Sequence, residues 1–147
     1  MGSYVYDTNC LVAALSDRHV HHEPTMADFK GRQQRGDTWY LPVACAVEAY
    51  CVLTRDRFLR EPPDQAAAVI AALTEQALVL DLDPDERLRE LPRAAGQRVQ
   101  GLRIFDHMIA ACALKSGAQV LVTWNLRDFR HWSGSGMEIV NPLGERA

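Results

Sequence analysis

Residues 4–15 are Tyr4-Val5-Tyr6-Asp7-Thr8-Asn9-Cys10-Leu11-Val12-Ala13-Ala14-Leu15 and predict a short strand followed directly by a helix, which is the first indication of the fold class. Its first three residues are β-branched or aromatic, a composition that favours a strand. An uninterrupted apolar run from Cys10 to Leu15 follows and predicts a helix. Asp7 stands at the junction between the two elements.

The same alternation of strands and helices continues along the chain. Further strands are predicted at residues 39–41, 78–80, 120–122 and 138–140. Helices are predicted at residues 21–34, from Pro42 to the break at Pro62-Pro63, and at residues 64–77, 83–95, 106–116 and 126–129. Strands joined through helices form right-handed crossovers in a mostly parallel sheet that is covered on both faces. We therefore predict a three-layer α/β sandwich in which residues 1–147 form a single domain.

Composition excludes several broad classes of protein. The 147 residues and 16.5 kDa suit one compact domain, and 48% hydrophobic with 24% charged residues is typical of globular proteins. No apolar run approaches the ~20 residues of a membrane helix, and no signal segment opens the chain, so we expect no membrane partner. The four cysteines form no CxxC pair and lie in apolar runs, so we expect buried, reduced thiols and a cytoplasmic location.

Three acidic residues stand alone in stretches that are otherwise free of charge. These are Asp7 within residues 2–15, Glu48 within residues 41–53, and Asp106 within residues 104–114. A buried carboxylate without a partner is costly, so such groups are usually capping, paired or bound to a metal. None of the three stretches contains a lysine or arginine that could pair with its acid locally.

Each acid also has a simpler interpretation. Asp7 and Asp106 could each cap the helix that follows, whereas Glu48 lies in mid-helix, where capping is excluded, and would otherwise be a polar edge position. Asn125 and Asp128, which follow the fourth strand, could be turn or cap residues. If these acids converge on one crevice, a cation must neutralise them, and oxygen ligands favour Mg²⁺ or Mn²⁺.

The ordered set of motifs resembles the PIN-domain ribonucleases, and specifically the VapC-type toxins of toxin–antitoxin pairs. Intervals of 41, 58 and 22 residues separate Asp7, Glu48, Asp106 and Asp128. The matching segments are Tyr6-Asp7-Thr8-Asn9, Val47-Glu48-Ala49, Phe105-Asp106-His107-Met108-Ile109-Ala110 and Thr123-Trp124-Asn125-Leu126-Arg127-Asp128-Phe129.

The resemblance implies metal-dependent hydrolysis of RNA phosphodiester bonds. It implies that the acidic positions are Asp7, Glu48, Asp106 and Asp128, with Asn125 as an alternative or accessory to the last. On this basis Asp7 and Asp106 would bind Mg²⁺ or Mn²⁺ directly, and Glu48 and Asp128 would hold its water molecules or position the nucleophile. Polar support for the metal would come from three further positions of the family pattern: Thr8, Asn9 and Thr123. The resemblance also implies a cognate antitoxin and a homodimer, for which the predicted helix at residues 64–77 is a candidate contact surface.

The basic residues fit an RNA partner, although the formal net charge is -3. Fourteen of the sixteen are arginine, whose guanidinium group binds phosphate through two parallel hydrogen bonds. Arg127 and Arg130 flank Asp128 and are the best candidates for RNA contacts, although an arginine cluster can also be a solvated helix face. Removing the four site carboxylates from the formal charge leaves a remainder of +1, so mild acidity does not exclude RNA.

Other interpretations are less well supported by the sequence. His19-Val20-His21-His22-Glu23 offers zinc ligands but lacks the HExxH spacing, and a solvated helix start is favoured. A phosphate-accepting receiver domain would need a lysine near a late strand or a second aspartate two residues after the first, and neither occurs. His107 and His131 are expected at the rim or surface. A catalytically silent PIN-like scaffold that binds RNA or protein is the main alternative, because Asn125 is an amide.

Overall fold

The computed structural model describes residues 1–147 and contains five strands and seven α-helices. The strands are β1 (Ser3–Tyr6), β2 (Thr38–Pro42), β3 (Leu78–Leu80), β4 (Val120–Val122) and β5 (Glu138–Val140). The helices are α1 (Thr8–Leu15), α2 (His22–Arg35), α3 (Val43–Arg55), α4 (Pro63–Thr74), α5 (Pro84–Gly96), α6 (Arg103–Ser116) and α7 (Leu126–Phe129). A short 3₁₀ turn, Arg130–Trp132, follows α7.

The strands form one sheet in the order β3-β2-β1-β4-β5, and every neighbouring pair is parallel. The predicted α/β sandwich is therefore confirmed, with a sheet that is entirely parallel. Strand β1 lies at the centre, in register with β2 through Tyr4↔Trp39 and with β4 through Tyr4↔Val120. Its residues Tyr4, Val5 and Tyr6 are almost completely buried, as expected for a strand that helices cover on both faces.

Helix α2 packs against this sheet through aromatic side chains. The cluster consists of Tyr4, Tyr6, Phe29 and Trp39, whose ring centroids lie 5.2 to 6.4 Å apart. Trp39 is buried in this cluster and is therefore a core residue. The helix ends at Gly36, whose φ of 74° is the left-handed conformation that favours glycine after a helix.

Helix α3 is shorter than the apolar spacing predicted, because it ends at Arg55 and not at Pro62-Pro63. The Asp56 carboxylate accepts hydrogen bonds from the backbone N–H groups of Phe58 (2.8 Å) and Leu59 (3.1 Å), which turns the chain out of the helix. The helix buries Cys45, Ala49 and Leu53. The apolar residues that predicted the helix, including Val47, Tyr50 and Phe58, are instead exposed to solvent.

Two further expectations were wrong. Helix α6 begins at Arg103, three residues before the predicted start, so Asp106 lies inside its first turn and does not cap it. Cys51 is exposed, whereas Cys10, Cys45 and Cys112 are buried as expected, because Cys51 lies on the outer side of α3. None of the helices is both long and apolar enough to span a bilayer.

Candidate active site

The candidate site lies at the carboxyl ends of the two central strands, β1 and β4. Asp7 follows β1 directly and Thr123 follows β4 directly. The chain adds β2 and β3 on one side of β1, and then β4 and β5 on the other, so the strand order reverses at this point. Such reversals open a crevice beyond the carboxyl ends of parallel strands, which is where ligands bind in open α/β sheets.

Asp7 is a buried carboxylate with two hydrogen-bond donors. Its side chain is 4% exposed and accepts hydrogen bonds from the Thr8 backbone N–H (2.7 Å) and from the Thr123 hydroxyl (2.8 Å). Burial, followed by the nearby charge of Asp106, raises its pKa to about 7, although both hydrogen bonds oppose this shift. No lysine or arginine pairs with Asp7. Asp7 therefore caps α1, as the simpler interpretation holds, and is also a desolvated acid without a counterion.

The Thr123 hydroxyl connects the ends of the two central strands. While it donates to Asp7, it accepts hydrogen bonds from Asn9 Nδ2 (3.2 Å) and from the Asn125 backbone N–H (3.0 Å). Asn9 also accepts a hydrogen bond from the Trp124 backbone N–H at 3.0 Å. Asn9 and Thr123 therefore hold the β4–α7 loop against the start of α1, and this arrangement fixes the orientation of the Asp7 carboxylate.

Glu48 approaches the site from the middle of α3. Its Oε2 accepts a hydrogen bond from the Thr8 hydroxyl at 2.8 Å, although the residue is exposed. Thr8 thus contacts two acids, with its backbone N–H on Asp7 and its hydroxyl on Glu48. Through Thr8, Glu48 in the middle of α3 and Asp7 at the end of β1 are brought into the same crevice.

Asp106 lies in the first turn of α6, and its carboxylate makes no hydrogen bond. Partial burial and the charges of Glu48 and Asp128 raise its pKa to about 6, while Arg103 opposes the shift. Asp106 and Glu48 both raise the pKa of Asp7, and Glu48 and Asp128 both raise that of Asp106, so Asp106 is close to each of the other three acids.

Asp128 lies at the edge of this group, in the short helix α7. Its Oδ2 accepts a hydrogen bond from the Asn125 side-chain amide, and its Oδ1 lies 3.7 Å from the Arg103 guanidinium group. Arg127 and Arg130 flank Asp128 on the surface, and neither forms an ion pair. The structure therefore brings the fourth predicted acid to the rim of the crevice.

The donor atoms of the crevice suit a hard divalent cation. They are carboxylate, hydroxyl and amide oxygens, which Mg²⁺ and Mn²⁺ prefer. Among these acids Asp7 is both buried and without a basic partner, so it is the acid that a cation would stabilise most in its ionised form. The structure holds no group of three or more Asp, Glu, His or Cys side chains already converged on one point.

His107 lies in the interior and not at the rim, so its predicted position was wrong. Its Nε2 lies 2.9 Å from Glu90 Oε2, both side chains are buried, and Arg93 contacts the other Glu90 oxygen at 2.8 Å. The rings of His131 and Trp132 lie beside it at centroid distances of 6.1 and 5.0 Å. The contact between His107 and Glu90 joins α5 to α6, the helix that carries Asp106.

The sequence predicted no individual role for Glu90 or Arg103. Spacing held a signal for Arg103 and for the burial of His107, which is the partner of Glu90. Arg103 precedes Asp106 by three residues, which places the two on the same helix face. His107 precedes Ala110 and Ala111 by three and four residues, which is the spacing of a buried face.

The histidine-rich segment packs locally. His21 stacks on Trp124 with ring centroids 3.9 Å apart, and His22 Nδ1 lies 2.8 Å from the Ala13 carbonyl oxygen. The Trp124 indole N–H donates to the Thr25 hydroxyl at 2.9 Å. Trp124 is thus engaged by neighbours on both α2 and the loop before it, and packing is its role in this structure.

An open groove of about 690 Å³ runs beside the crevice, between α3 and α6. Eleven of its sixteen lining residues are hydrophobic, among them Val47 and Cys51 on α3 and Phe105 and Met108 on α6. Glu48 also lines it, so the groove leads into the acidic crevice. Two of the exposed apolar residues of α3, Val43 and Val47, therefore belong to one wall of this groove.

The comparisons with known proteins agree with this geometry. A sequence model of the PIN domain matches residues 4–133, so the chain belongs to the PIN-domain family. A search of curated protein sequences finds no match.

Several solved structures share the fold. VapBC2 from Rickettsia felis, bound to a DNA fragment from its promoter, is similar with a TM-score of 0.68 and 17% identity, over 95% of this chain and 98% of that chain. DNA-bound VapBC from Salmonella typhimurium is similar with a TM-score of 0.68 and 22% identity, over 97% of this chain and 99% of that chain. VapC20 from Mycobacterium tuberculosis, a toxin that cleaves the sarcin-ricin loop, is similar with a TM-score of 0.66 and 15% identity. The similarity covers 80% of this chain and 86% of that chain.

Proposed function

We propose that this PIN-domain protein is a metal-dependent endoribonuclease of the VapC toxin type, which hydrolyses RNA phosphodiester bonds and is inhibited by a cognate antitoxin. The buried Asp7, which has no basic partner and lies beside Asp106 and Glu48, carries this proposal, because a bound divalent cation would stabilise these acids in their ionised form. The similarity to VapC20, a toxin that cleaves RNA, supports the choice of substrate.

Asp7 and Asp106 are the residues that would hold Mg²⁺ or Mn²⁺. When bound, the ion lowers the pKa of a water molecule and neutralises charge on the phosphate. Thr123 and Thr8 orient the acids, since each donates to a carboxylate oxygen that faces the crevice. Glu48 is exposed and already accepts one hydrogen bond, which suits a residue that positions the attacking water.

The remaining site residues complete the proposal. Asn9 and Asn125 hold the β4–α7 loop, which carries Asp128 to the rim of the crevice. Arg127 and Arg130 are exposed and unpaired, so their guanidinium groups are free to contact RNA phosphates. No side-chain nucleophile is required, because the attacking group is water.

The apolar groove between α3 and α6 is the proposed binding surface for the antitoxin. A helix with one apolar face fits a groove of this chemistry, and the structural neighbours include VapBC assemblies. Because Glu48 lines the groove, a bound segment would lie beside the crevice and restrict access of RNA to it. Inhibition by occlusion follows from this continuity.

A homodimer is proposed through helix α4. Its outer surface is uncharged and exposed along Ala67, Ala68, Val69, Ala71 and Ala72. The neighbouring edge strand β3 also exposes Leu78 and Val79. An exposed apolar patch beside a sheet edge is a surface that proteins usually cover with a partner.

Three buried thiols without a disulfide agree with a cytoplasmic location.

A cleavage assay tests the proposed function. Purified protein is incubated with total cellular RNA in Mg²⁺ or Mn²⁺, in parallel with EDTA and with the Asp7→Asn variant. Cleavage that requires the ion and disappears in Asp7→Asn is expected. Cleavage that persists in EDTA, or in Asp7→Asn, would contradict the metal mechanism.

A silent scaffold that binds RNA or protein is the second candidate. It is favoured by the absence of a converged set of three ligands and by the amide at position 125. A wild-type protein that binds RNA but cleaves none, with either ion, would support the scaffold and exclude the nuclease.

A further inference from the structure

Arg103 is the only basic side chain that forms an ion pair with one of the four acids of the crevice. It is the first residue of α6, three positions before Asp106 on the same helix. Its guanidinium nitrogen lies 3.7 Å from Asp128 Oδ1, and its side chain is 53% exposed. The positive charge therefore stands at the rim of the crevice and remains open to solvent.

The Asp128 carboxylate is oriented toward Arg103 by a second contact. Asn125 donates a hydrogen bond from its side-chain amide to Oδ2, so the opposite oxygen, Oδ1, is the one that faces the guanidinium group. The carboxylate is thus held between an amide and an arginine. The positive charge of Arg103 beside Oδ1 would repel a divalent cation that approached this oxygen, so Asp128 is a poorer metal ligand than Asp7 or Asp106, which have no basic partner.

The guanidinium group of Arg103 lies between α6, which carries it, and α7, which carries Asp128. Of its five N–H donors, none makes a hydrogen bond in the structure, so they are available to an anion.

We propose that Arg103 binds a phosphate of the RNA backbone beside the acidic crevice, and that Asp128 is a positioning residue for this guanidinium group and not a metal ligand. The inference rests on the proposed nuclease function, and it gives the fourth acid, Asp128, the role of positioning Arg103. The attraction of Asp128 keeps the Arg103 guanidinium group at the rim of the crevice, whereas Arg127 and Arg130 have no carboxylate partner to do so.

The experiment measures RNA binding and metal binding separately. A fluorescent single-stranded RNA of mixed sequence is titrated with protein in the inactive Asp7→Asn background, at several salt concentrations. Loss of one charged phosphate contact is expected to weaken binding by about tenfold and to lower the slope of log affinity against log salt by about 0.7. Arg103→Ala and Asp128→Asn should each weaken binding, and the double variant should be no weaker than Arg103→Ala alone.

Arg146→Ala is the matched control, because it removes a second exposed arginine paired with a carboxylate. Arg146 lies 2.8 Å from Glu138, the first residue of β5, at the opposite end of the sheet from the crevice. Its loss should change RNA affinity by less than about twofold. Arg103→Lys should restore the salt slope, since it retains the charge, but not the full affinity.

Mn²⁺ binding separates the two roles of Asp128. The Mn²⁺-induced rise in melting temperature, measured in the Asp7-containing protein, should be the same in Asp128→Asn as in wild type and lost in Asp106→Asn. Loss of Mn²⁺ binding in Asp128→Asn, or RNA affinity in Arg103→Ala equal to that in Arg146→Ala, would overturn the inference. Wild-type protein that cleaves no RNA would instead refute the proposed function, whatever the binding assay shows for Arg103.

Discussion

The Thr123 hydroxyl donates a 2.8 Å hydrogen bond to Asp7 Oδ2 and so joins the carboxyl ends of the two central strands across 116 residues of chain. Both residues are buried, and Thr123 accepts two further hydrogen bonds from Asn9 and Asn125. One hydroxyl therefore connects Asp7 to the loop that carries Asp128. The crevice depends on this contact for its geometry.

Removing that hydroxyl should weaken metal binding. In Thr123→Val, Asp7 loses a donor that stabilises its ionised form, so the pKa of Asp7 should rise further. We expect the concentration of Mn²⁺ that half-saturates RNA cleavage to increase about 10- to 100-fold, which is typical for loss of a group that orients a metal ligand. Cleavage rates measured across a Mn²⁺ series give this value.

Thr123→Ser is the matched control, because it retains the donor and removes only a methyl group. Its half-saturating Mn²⁺ concentration should stay close to the wild-type value. A Thr123→Val protein with wild-type Mn²⁺ dependence would show that Asp7 does not depend on the hydroxyl.

The stability of the metal-free protein should fall as pH rises. The pKa of Asp7 is raised to about 7 and that of Asp106 to about 6, each from 3.8. The folded protein therefore holds these protons more tightly than the unfolded chain. The stabilisation is complete below about pH 4 and is lost as pH rises to about 7. Melting temperatures recorded in EDTA from pH 5 to pH 8 should decrease accordingly.

Mn²⁺ should reverse this loss, because it binds the ionised acids of the native state only. The metal-induced rise in melting temperature should be larger at pH 8 than at pH 5. In Asp7→Asn, the EDTA curve should be flatter, with a melting temperature at pH 8 roughly 3 °C or more above wild type. Equal pH dependence in wild type and Asp7→Asn would place the titrating group elsewhere.

The sequence predicted the elements well because their signals are local. Strand-forming residues 4–6 followed by the apolar run to Leu15 are recognisable within a dozen positions, and the solitary acids could be read in the same way. The partners of these acids could not be predicted, because they are distant in sequence and meet only when the strands pack. Examples are the contacts of Thr123 with Asp7 and of Arg103 with Asp128. The end of α3 was not predicted either, because the hydrogen bond from the Phe58 backbone N–H to the Asp56 side chain stops this helix.

Val47→Asp should prevent antitoxin binding without affecting the fold. Val47 is 64% exposed and lines the groove between α3 and α6, so a charge there would be buried unpaired beneath a bound apolar helix. Co-purification of the tagged protein with the proposed antitoxin measures the effect, and we expect at least a tenfold loss of bound partner.

Leu88→Asp is the control for that variant, because Leu88 is also 64% exposed but lies on α5 outside the groove. It should retain the partner, and both variants should melt near the wild-type temperature. Equal retention by the two variants would remove the groove as the antitoxin surface.

The buried pair of Glu90 and His107 should contribute to stability. Glu90→Ala removes the only hydrogen-bond partner of the buried His107 ring, whose Nδ1 has none. The expected decrease in the free energy of unfolding is about 2–4 kcal/mol, measured by urea denaturation. Arg93→Ala removes an exposed arginine from the same Glu90 and should cost less than about 1 kcal/mol. Similar losses in both variants would show that the buried contact is not the important one.

Calorimetric titration of Mn²⁺ into metal-free protein determines whether Asp7 and Asp106 hold a divalent cation. Wild type should show saturable binding at pH 8 that is absent in both Asp7→Asn and Asp106→Asn. Asp17→Asn, which removes an exposed acid after α1, should bind as wild type does. Undiminished Mn²⁺ binding in Asp7→Asn and Asp106→Asn, or none in wild type, would contradict the metal site on which the proposed ribonuclease rests.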